Sequence, residues 1–169
     1  MFKNDLLLEK LNKFFDIEKN KQVLIDVLNN KYNISLRIID WFVTNYCKKY
    51  NIGWNLDNIR FVVYINYKLQ LKAYSKKYFD PFCRRERIYF NYGNNKNKLI
   101  TTVGQLNFFR WMIENNIIDY IKKNYDDIEH DMQTTIKNIS LSNNKRRELS
   151  KSSIKSINKI DSNIVLKFE

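Results

Sequence analysis

Cysteine, glycine, proline and histidine are all scarce in this sequence. Among its 169 residues there are two cysteines, three glycines, one proline and one histidine. A secreted disulfide scaffold and a zinc module both need more sulfur than Cys47 and Cys83 provide, so the composition predicts a reducing, intracellular compartment. The lone histidine, His130, lies in the acidic run 126–131, and no Cys/His or Ser/His/Asp set can be assembled around it. The sequence therefore predicts a protein that is not an enzyme and uses no metal or other cofactor.

Long apolar runs are also missing. No stretch approaches the roughly 18–20 residues that a membrane-spanning helix needs. The residues that follow Met1 lack the cationic and apolar regions of a signal peptide. We therefore expect no membrane partner and no secretion.

Aromatic residues, by contrast, are abundant. Eleven Phe, eleven Tyr and three Trp occur in a chain that is 44% apolar, which is enough for a sizeable core without disulfides or metals. The length fits one domain with an appendage better than two full domains. Trp41 and Trp111 each lie beside apolar helix positions, so both are expected to be buried.

Positive charge is concentrated in two segments. The net charge is +12, of which residues 68–98 contribute +7 and residues 137–169 contribute +5, while the remaining residues are neutral. Codons rich in A and T raise the lysine and asparagine content of a whole proteome, but such a bias would spread the charge evenly. The two segments are therefore the candidates for contact with a polyanion.

Apolar spacing predicts four helices in the first half of the chain. They fall near 6–15, 20–31, 36–50 and 58–75. Ser35 is the expected N-cap of the third helix, and Asp57 is the expected N-cap of the fourth. The inner stripe of the fourth helix is expected to consist of Phe61, Val62, Ile65, Leu69 and Lys72/Ala73.

A β-hairpin is predicted at about 87–101, because β-type residues alternate before and after the turn-forming stretch 93–97. Thr102–Gln105 is typical of a capping box that opens the next helix. A phosphate site at that helix start is the alternative, although the second glycine and the lysine of a P-loop are absent. A break between this helix and the following one is expected at Asn115–Asn116.

The run 126–131 is expected to be a solvated acidic helix face. Neighbouring helix side chains diverge by about 100°, so Glu129, His130 and Asp131 cannot converge on one metal ion. From about Thr135 the composition of Ser, Asn and Lys without periodicity predicts disorder.

The fold class predicted from these patterns is α+β and predominantly α-helical. A helical domain with one β-hairpin (about 87–101) before a further helix is expected at 1–135, and a flexible basic tail is expected at 136–169 with a terminal strand at 164–168. Helices followed by a hairpin and another helix are similar to winged-helix architecture at the level of fold alone.

Four sequence blocks, taken together, carry a resemblance to a known family. They are Ser35–Tyr46, Tyr67–Arg85 (containing Phe79-Asp80-Pro81-Phe82-Cys83-Arg84-Arg85), Thr101–Trp111 and Lys145–Ser152. Over about residues 20–169 the chain resembles an uncharacterised family of small basic proteins of giant nucleocytoplasmic DNA viruses, of the mimivirus and phycodnavirus type. The resemblance implies a viral context, in the host cytoplasm, viral factory, nucleus or virion, and it implies no catalytic residues.

The segment 75–87 interleaves cations with aromatic residues. Its candidate polyanion-binding residues are Lys76, Lys77, Arg84, Arg85 and Arg87. Such a pattern suits a phosphate backbone with stacked bases. Two alternatives stay open: a protein-contact surface, or a structural turn in which Phe79 and Phe82 are core anchors and the arginines bridge Asp80 and Glu86.

The second candidate segment is Lys145-Arg146-Arg147 in the tail, which suits nucleic-acid contact or nuclear entry. Ser150, three residues after Arg147, fits a basophilic kinase site whose phosphate would reduce the charge of the tail. The leading functional hypothesis is a non-enzymatic viral protein that binds nucleic acid, or another polyanion, through both segments. The alternative is a structural virion component or adaptor that docks an acidic viral protein.

Overall fold

The computed structural model describes residues 3–29, 31–92 and 97–142, and it is predominantly helical with two β-hairpins. In chain order the elements are α1 (Lys3–Asp16), α2 (Glu18–Leu28), α3 (Leu36–Trp41), a π-helical segment (Phe42–Tyr46), α4 (Cys47–Tyr50), β1 (Gly53–Leu56), β2 (Ile59–Val62), α5 (Val63–Tyr78), β3 (Arg87–Tyr92), β4 (Asn97–Thr102), α6 (Val103–Glu114), α7 (Ile117–Lys123) and α8 (Tyr125–Ser142). The predicted class, α-rich with a hairpin at about 87–101, is confirmed.

Helix α6 is the centre of the core. It packs against α1, α2, α5, α7 and β4, which is possible because apolar side chains surround its axis. Its fully or almost fully buried side chains are Leu106, Phe108, Phe109, Trp111 and Met112. Trp111 is 2% exposed, as expected, and its indole N–H donates to Asn66 Oδ1 at 2.7 Å. The core is thus built around aromatic rings.

Two predicted helix starts are confirmed by their caps. The Ser35 hydroxyl accepts the backbone N–H of Ile38 at 3.3 Å. The Thr102 hydroxyl accepts the backbone N–H of Gln105 at 3.1 Å. Each bond satisfies one of the N–H groups that the first helical turn leaves unpaired. The expected break is confirmed as well, since Asn116 has a φ of 57° between α6 and α7.

The helix predicted at 58–75 begins later than expected. Residues 53–62 instead form the hairpin β1–β2, with Leu56 paired to Ile59. Asp57 and Asn58 both have positive φ values, 47° and 65°, as a two-residue type I′ turn requires. Asp57 is therefore a turn residue, and the prediction that it caps α5 was wrong.

The inner face of α5 also differs from the prediction. Ile65 and Leu69 are 57% and 58% exposed, whereas Val63 is fully buried and Tyr67 packs against the core. Once the helix starts at Val63, Tyr67 follows one turn later on the same face. Val63 and the ring of Tyr67, rather than Ile65 and Leu69, therefore hold α5 to the core.

The chain divides into two compact units, residues 1–134 and 135–169. Helix α8 continues to Ser142, so the first residues after 135 are helical rather than irregular. Ile136 and Ile139 extend the spacing of Met132 and explain this continuation. Residues 93–96 of the predicted turn, the remainder of the predicted tail and the predicted strand 164–168 lie outside the described residues.

Candidate nucleic-acid interface

Residues 76–87, called the basic strip below, are anchored to the core by Phe79. This side chain is fully buried, and its ring lies 5.2 Å from that of Phe108 and 5.4 Å from that of Trp111, measured between centroids. Asn107 Nδ2 also donates to the carbonyl of Tyr78 at 2.8 Å. The residues immediately before the strip's reversal are therefore held on helix α6.

The strip reverses direction at Asp80–Phe82. The Asp80 carboxylate accepts the backbone N–H of Phe82 at 2.7 Å, the local bond expected of an Asx turn. The backbone N–H of Asp80 donates to the carbonyl of Gly104 at 3.3 Å. Gly104 permits this approach, because a Cβ atom there would lie 2.8 Å from the carbonyl oxygen of Lys77. The glycine serves close packing, and Thr102 caps the helix as predicted.

The reversal brings the two halves of the strip together. Helix α5 is interrupted at Ser75, whose φ is 63°, and the following lysines then face the arginines across a cleft of about 420 Å³. This basic cleft is lined by Lys76, Lys77, Asp80, Cys83, Arg84, Arg85 and Glu86. Four of the five cations predicted in the strip thus share one cleft.

The acidic residues of the basic cleft leave its arginines unpaired. Glu86 forms an ion pair with Lys77 at 2.6 Å, and the Asp80 carboxylate is engaged in the turn. Within the described ranges, the side chains of Arg84, Arg85 and Arg87 form no ion pair or hydrogen bond, and all three are exposed. The alternative in which these arginines bridge Asp80 and Glu86 is therefore not what the structure shows.

The two phenylalanines of the strip have different positions. Phe79 is the buried anchor that the structural-turn alternative expected, whereas Phe82 is 42% exposed. An apolar ring on the surface between cations is a place where a planar ligand can stack.

Behind the strip, Asp40 and Tyr67 are half-buried. Burial raises the pKa of Asp40, the nearby Asp80 carboxylate raises it further, and Lys76 opposes both effects. Burial also raises the pKa of Tyr67 to about 12, helped by the same two carboxylates. Both shifts favour the less negatively charged form of the group, so burial limits the negative charge that lies behind the strip.

A second cleft, called the aromatic cleft below, adjoins the basic cleft and shares Cys83 and Arg84 with it. Its volume is about 310 Å³. The lining residues are Leu36, Pro81, Phe82, Cys83, Arg84, Arg87, Ile100, Thr101, Thr102 and Gln105. It therefore combines an apolar lining with two arginines, one of which is Arg87, the fifth predicted cation of the strip.

The polar groups of the aromatic cleft bond to one another. Thr101 Oγ1 donates to Gln105 Oε1 at 2.8 Å, Gln105 Nε2 donates to the carbonyl of Pro81 at 3.1 Å, and Thr102 Oγ1 donates to the carbonyl of Cys83 at 3.3 Å. These bonds fix strand β4 and the start of α6 to the loop. The predicted capping box is thus half formed, because the Gln105 side chain binds the loop rather than Thr102.

The other candidate residues do not join this site. Lys145, Arg146, Arg147 and the kinase motif lie outside the described residues. His130 is exposed on α8, and in the described ranges no three His, Cys, Asp or Glu side chains are close enough to hold a metal ion. None of the helices described is long and apolar enough to cross a bilayer.

Sequence patterns did not reveal the aromatic cleft. Its residues come from the strip, the start of α3, β4 and α6, and they are brought together by the turn at Asp80 and the hydrogen bonds of Gln105. The Asp-Pro pair next to cations, followed by a capping box, was the available signal. That signal identifies a turn and a helix start but not the cleft between them.

Comparison with known proteins places the chain among viral relatives. A model for the Family of unknown function (DUF7197) matches residues 1–169. The Uncharacterized protein L507 of Acanthamoeba polyphaga mimivirus is 42% identical over 140 residues, covering 78% of this chain and 54% of the relative. The chain thus spans about half the length of that relative. No solved structure matches. The expected resemblance to giant-virus proteins is confirmed.

Proposed function

The chain belongs to the Family of unknown function (DUF7197), whose description names no activity, and we propose a function from the geometry of the basic strip. We propose that it is a non-enzymatic protein that binds nucleic acid through the basic strip. The tail cations Lys145, Arg146 and Arg147 add to the same positive charge.

One observation carries this proposal: the guanidinium groups of Arg84, Arg85 and Arg87 are exposed and have no partner among the described residues. Cations with a structural role are normally paired or bonded to carbonyl groups. Three arginines held within four positions on an anchored loop are instead available to an external anion. Arginine is also the cation best suited to bidentate contact with phosphate.

The second candidate function is a structural virion component or adaptor. It is favoured by a separate surface, where the aliphatic side chains of Ile59, Ile65 and Leu69 are 73%, 57% and 58% exposed along one cleft. Exposed aliphatic clusters are typical of surfaces that a protein partner covers. An adaptor of this kind could also dock an acidic viral protein on the basic strip.

The first test is a salt titration of binding to duplex DNA, single-stranded DNA and RNA. For each phosphate contact, the slope of log affinity against log salt is about −0.9 on duplex DNA and about −0.7 on single strands. Changing Arg84 and Arg85 together to Gln removes two cations from the basic cleft. The slope on duplex DNA should then flatten by up to about 1.8, and affinity at low salt should fall.

A matched control is Lys10→Gln with Lys19→Gln, which removes the same charge from exposed side chains on α1 and α2. If the strip is the interface, this control should retain most of the affinity and the salt slope. Equal losses in both variants would indicate attraction by net charge alone and count against the proposed site. Unchanged nucleic-acid affinity together with loss of incorporation into virions would favour the adaptor.

A further inference from the structure

We infer that the aromatic cleft holds one unpaired base of a single-stranded nucleic acid, stacked on Phe82, while Arg84 and Arg87 bind the flanking phosphates. This inference rests on the proposed function and specifies its ligand. It separates a preference for single strands from general attraction to phosphate.

The dimensions of the aromatic cleft suit a small planar group. At about 310 Å³ it lies at the small end of the range of about 300–1,000 Å³ found for ligand sites. A duplex presents its phosphates on the outside and keeps its bases stacked and paired. A base can therefore enter such a cleft only from a single strand or after being flipped out of a duplex.

Phe82 supplies the stacking surface. Phe82 is 42% exposed although it belongs to a loop that is fixed by Phe79 and by the Asp80 turn. Leu36, Pro81 and Ile100 supply further apolar contacts. An aromatic ring beside cations is the arrangement by which proteins bind single strands with little dependence on sequence.

The arginines provide a path for the backbone. Arg84 lines both clefts, so a strand whose base occupies the aromatic cleft can continue along Arg84 towards Arg85 and Lys76 in the basic cleft. Arg87 lines the aromatic cleft and does not line the basic cleft. Two arginines beside an apolar lining complement a base and its flanking phosphates.

Selectivity among bases should be weak. The Thr101 hydroxyl and the Gln105 amide already form hydrogen bonds within the protein. These internal bonds fix the orientation of both side chains, and Thr101 is only 3% exposed, so little of their polar surface is directed at a base edge. Stacking depends on no such contact, because every base has a π face.

The test compares three oligonucleotides of equal length at one salt concentration: a single strand, its duplex and a strand whose sugars carry no bases. Binding is measured by fluorescence anisotropy for the wild type, Phe82→Ala, Phe82→Tyr and Tyr89→Ala. Tyr89 is a matched control, since it is 72% exposed on β3 and does not line the cleft. Thermal melting establishes that each variant is folded.

We expect the single strand to bind the wild type most tightly, and Phe82→Ala to lower that affinity about tenfold, as loss of one base-stacking contact does. The same change should leave binding of the duplex and of the base-free strand within about twofold of the wild type. Phe82→Tyr and Tyr89→Ala should remain near wild type.

Three results would overturn the inference. If the single strand and the duplex bind equally and Phe82→Ala changes neither, the cleft holds no base, although the proposed function survives through the arginines. If Phe82→Ala weakens the base-free strand as much as the normal strand, Phe82 acts on the backbone instead. If no oligonucleotide binds even at low salt, the proposed function fails together with the inference.

Discussion

Trp41 Nε1 donates a hydrogen bond of 3.0 Å to Asp131 Oδ2, across 90 positions of sequence. The same carboxylate accepts Tyr50 Oη at 3.1 Å and pairs with Lys49. Asp131 is only 7% exposed, although its acidic neighbourhood predicted a solvated face. The bond ties α8 to the helix that begins at Leu36. Trp41 is half-buried against the core, so the prediction that it is buried like Trp111 was wrong.

This carboxylate gives the first prediction, an acid-sensitive contribution to stability. Burial alone would raise the pKa of Asp131, but hydrogen bonds from Lys49, Trp41 and Tyr50 outweigh burial and lower it. Its stabilising effect should be complete above the unfolded pKa of about 3.9 and be lost as the pH falls through the lower folded value. Asp131→Asn should therefore reduce the free energy of unfolding at pH 7, and the difference from wild type should shrink below pH 4.

Denaturant unfolding at several pH values measures this difference. Asp127→Asn is the control, since Asp127 is exposed on the same helix, and its stability should stay within about 0.5 kcal/mol of wild type. A difference between Asp131→Asn and wild type that is constant from pH 7 to pH 2 would contradict the prediction.

The second prediction contrasts the two phenylalanines of the strip. Phe79→Ala should destabilise the fold by about 3–5 kcal/mol, because it empties a fully buried position between Phe108 and Trp111. Phe82→Ala should cost less than about 1 kcal/mol, since much of its ring is already exposed. Chemical denaturation of both variants measures the contrast, and equal losses would mean that the strip packs differently.

The third prediction concerns Gly104. An added Cβ would meet the carbonyl oxygen of Lys77 at 2.8 Å and Cys83 Cβ at 3.3 Å, so the strip or α6 must shift. We expect Gly104→Ala to cost about 1–3 kcal/mol, the usual cost of overpacking. Gly104→Ser should cost at least as much. Gln133→Ala, an exposed change on α8, is the control, and a melting temperature for Gly104→Ala equal to that control would refute the close approach.

The fourth prediction uses the two cysteines as reporters. Cys47 is fully buried, and burial raises the pKa of its thiol, whereas Cys83 is partly exposed and lines both clefts. A thiol reagent should therefore modify one cysteine rapidly in the folded protein and the second only on unfolding. Saturating single-stranded DNA should slow the rapid reaction if the strand covers the clefts.

Cys83→Ser identifies the reporter, because the rapid reaction should then disappear. Rapid modification of Cys47 in that variant would show that the packing around the π-helical segment is wrong. An unchanged rate for Cys83 under saturating DNA would place the strand elsewhere.

The fifth prediction concerns the basic tail. Removing residues 137–169 should leave the melting temperature nearly unchanged, because the buried core residues in the described part of the chain lie between Leu11 and Met132. The truncation should flatten the salt dependence of binding if Lys145, Arg146 and Arg147 contact phosphates. A large fall in melting temperature would show that the removed segment contributes to the core.

Predictions from sequence were correct where the residue type and its neighbours favour a single local structure. Ser35 and Thr102 precede apolar helical runs and were correctly assigned as caps, and the hairpin at β3–β4 was found from alternation. Asp57 was ambiguous, because aspartate suits both an N-cap and a tight turn. The four-residue strands on either side of it carry too little alternation to decide.

Only the charged residues of the candidate site could be predicted from the sequence. Lys76, Lys77, Arg84 and Arg85 were identified as candidates from their charge, but their meeting in one cleft was not predicted. That Phe79 is buried and Phe82 exposed depends on the turn at Asp80 and on the face that α6 presents, and neither follows from composition or spacing. Burial of Asp131 likewise depends on donors from a distant helix.

The π-helical segment Phe42–Tyr46 bears on insertions and deletions within the family. Such a segment is in effect an α-helix that has accommodated one additional residue. Deleting one residue there, for example the exposed Asn45, would restore α-helical geometry and leave the buried residues on either side facing the core. The same deletion within α3 would rotate all later side chains by about 100°. Relatives that differ in length by one residue along this helix are therefore expected to place the gap between positions 42 and 46.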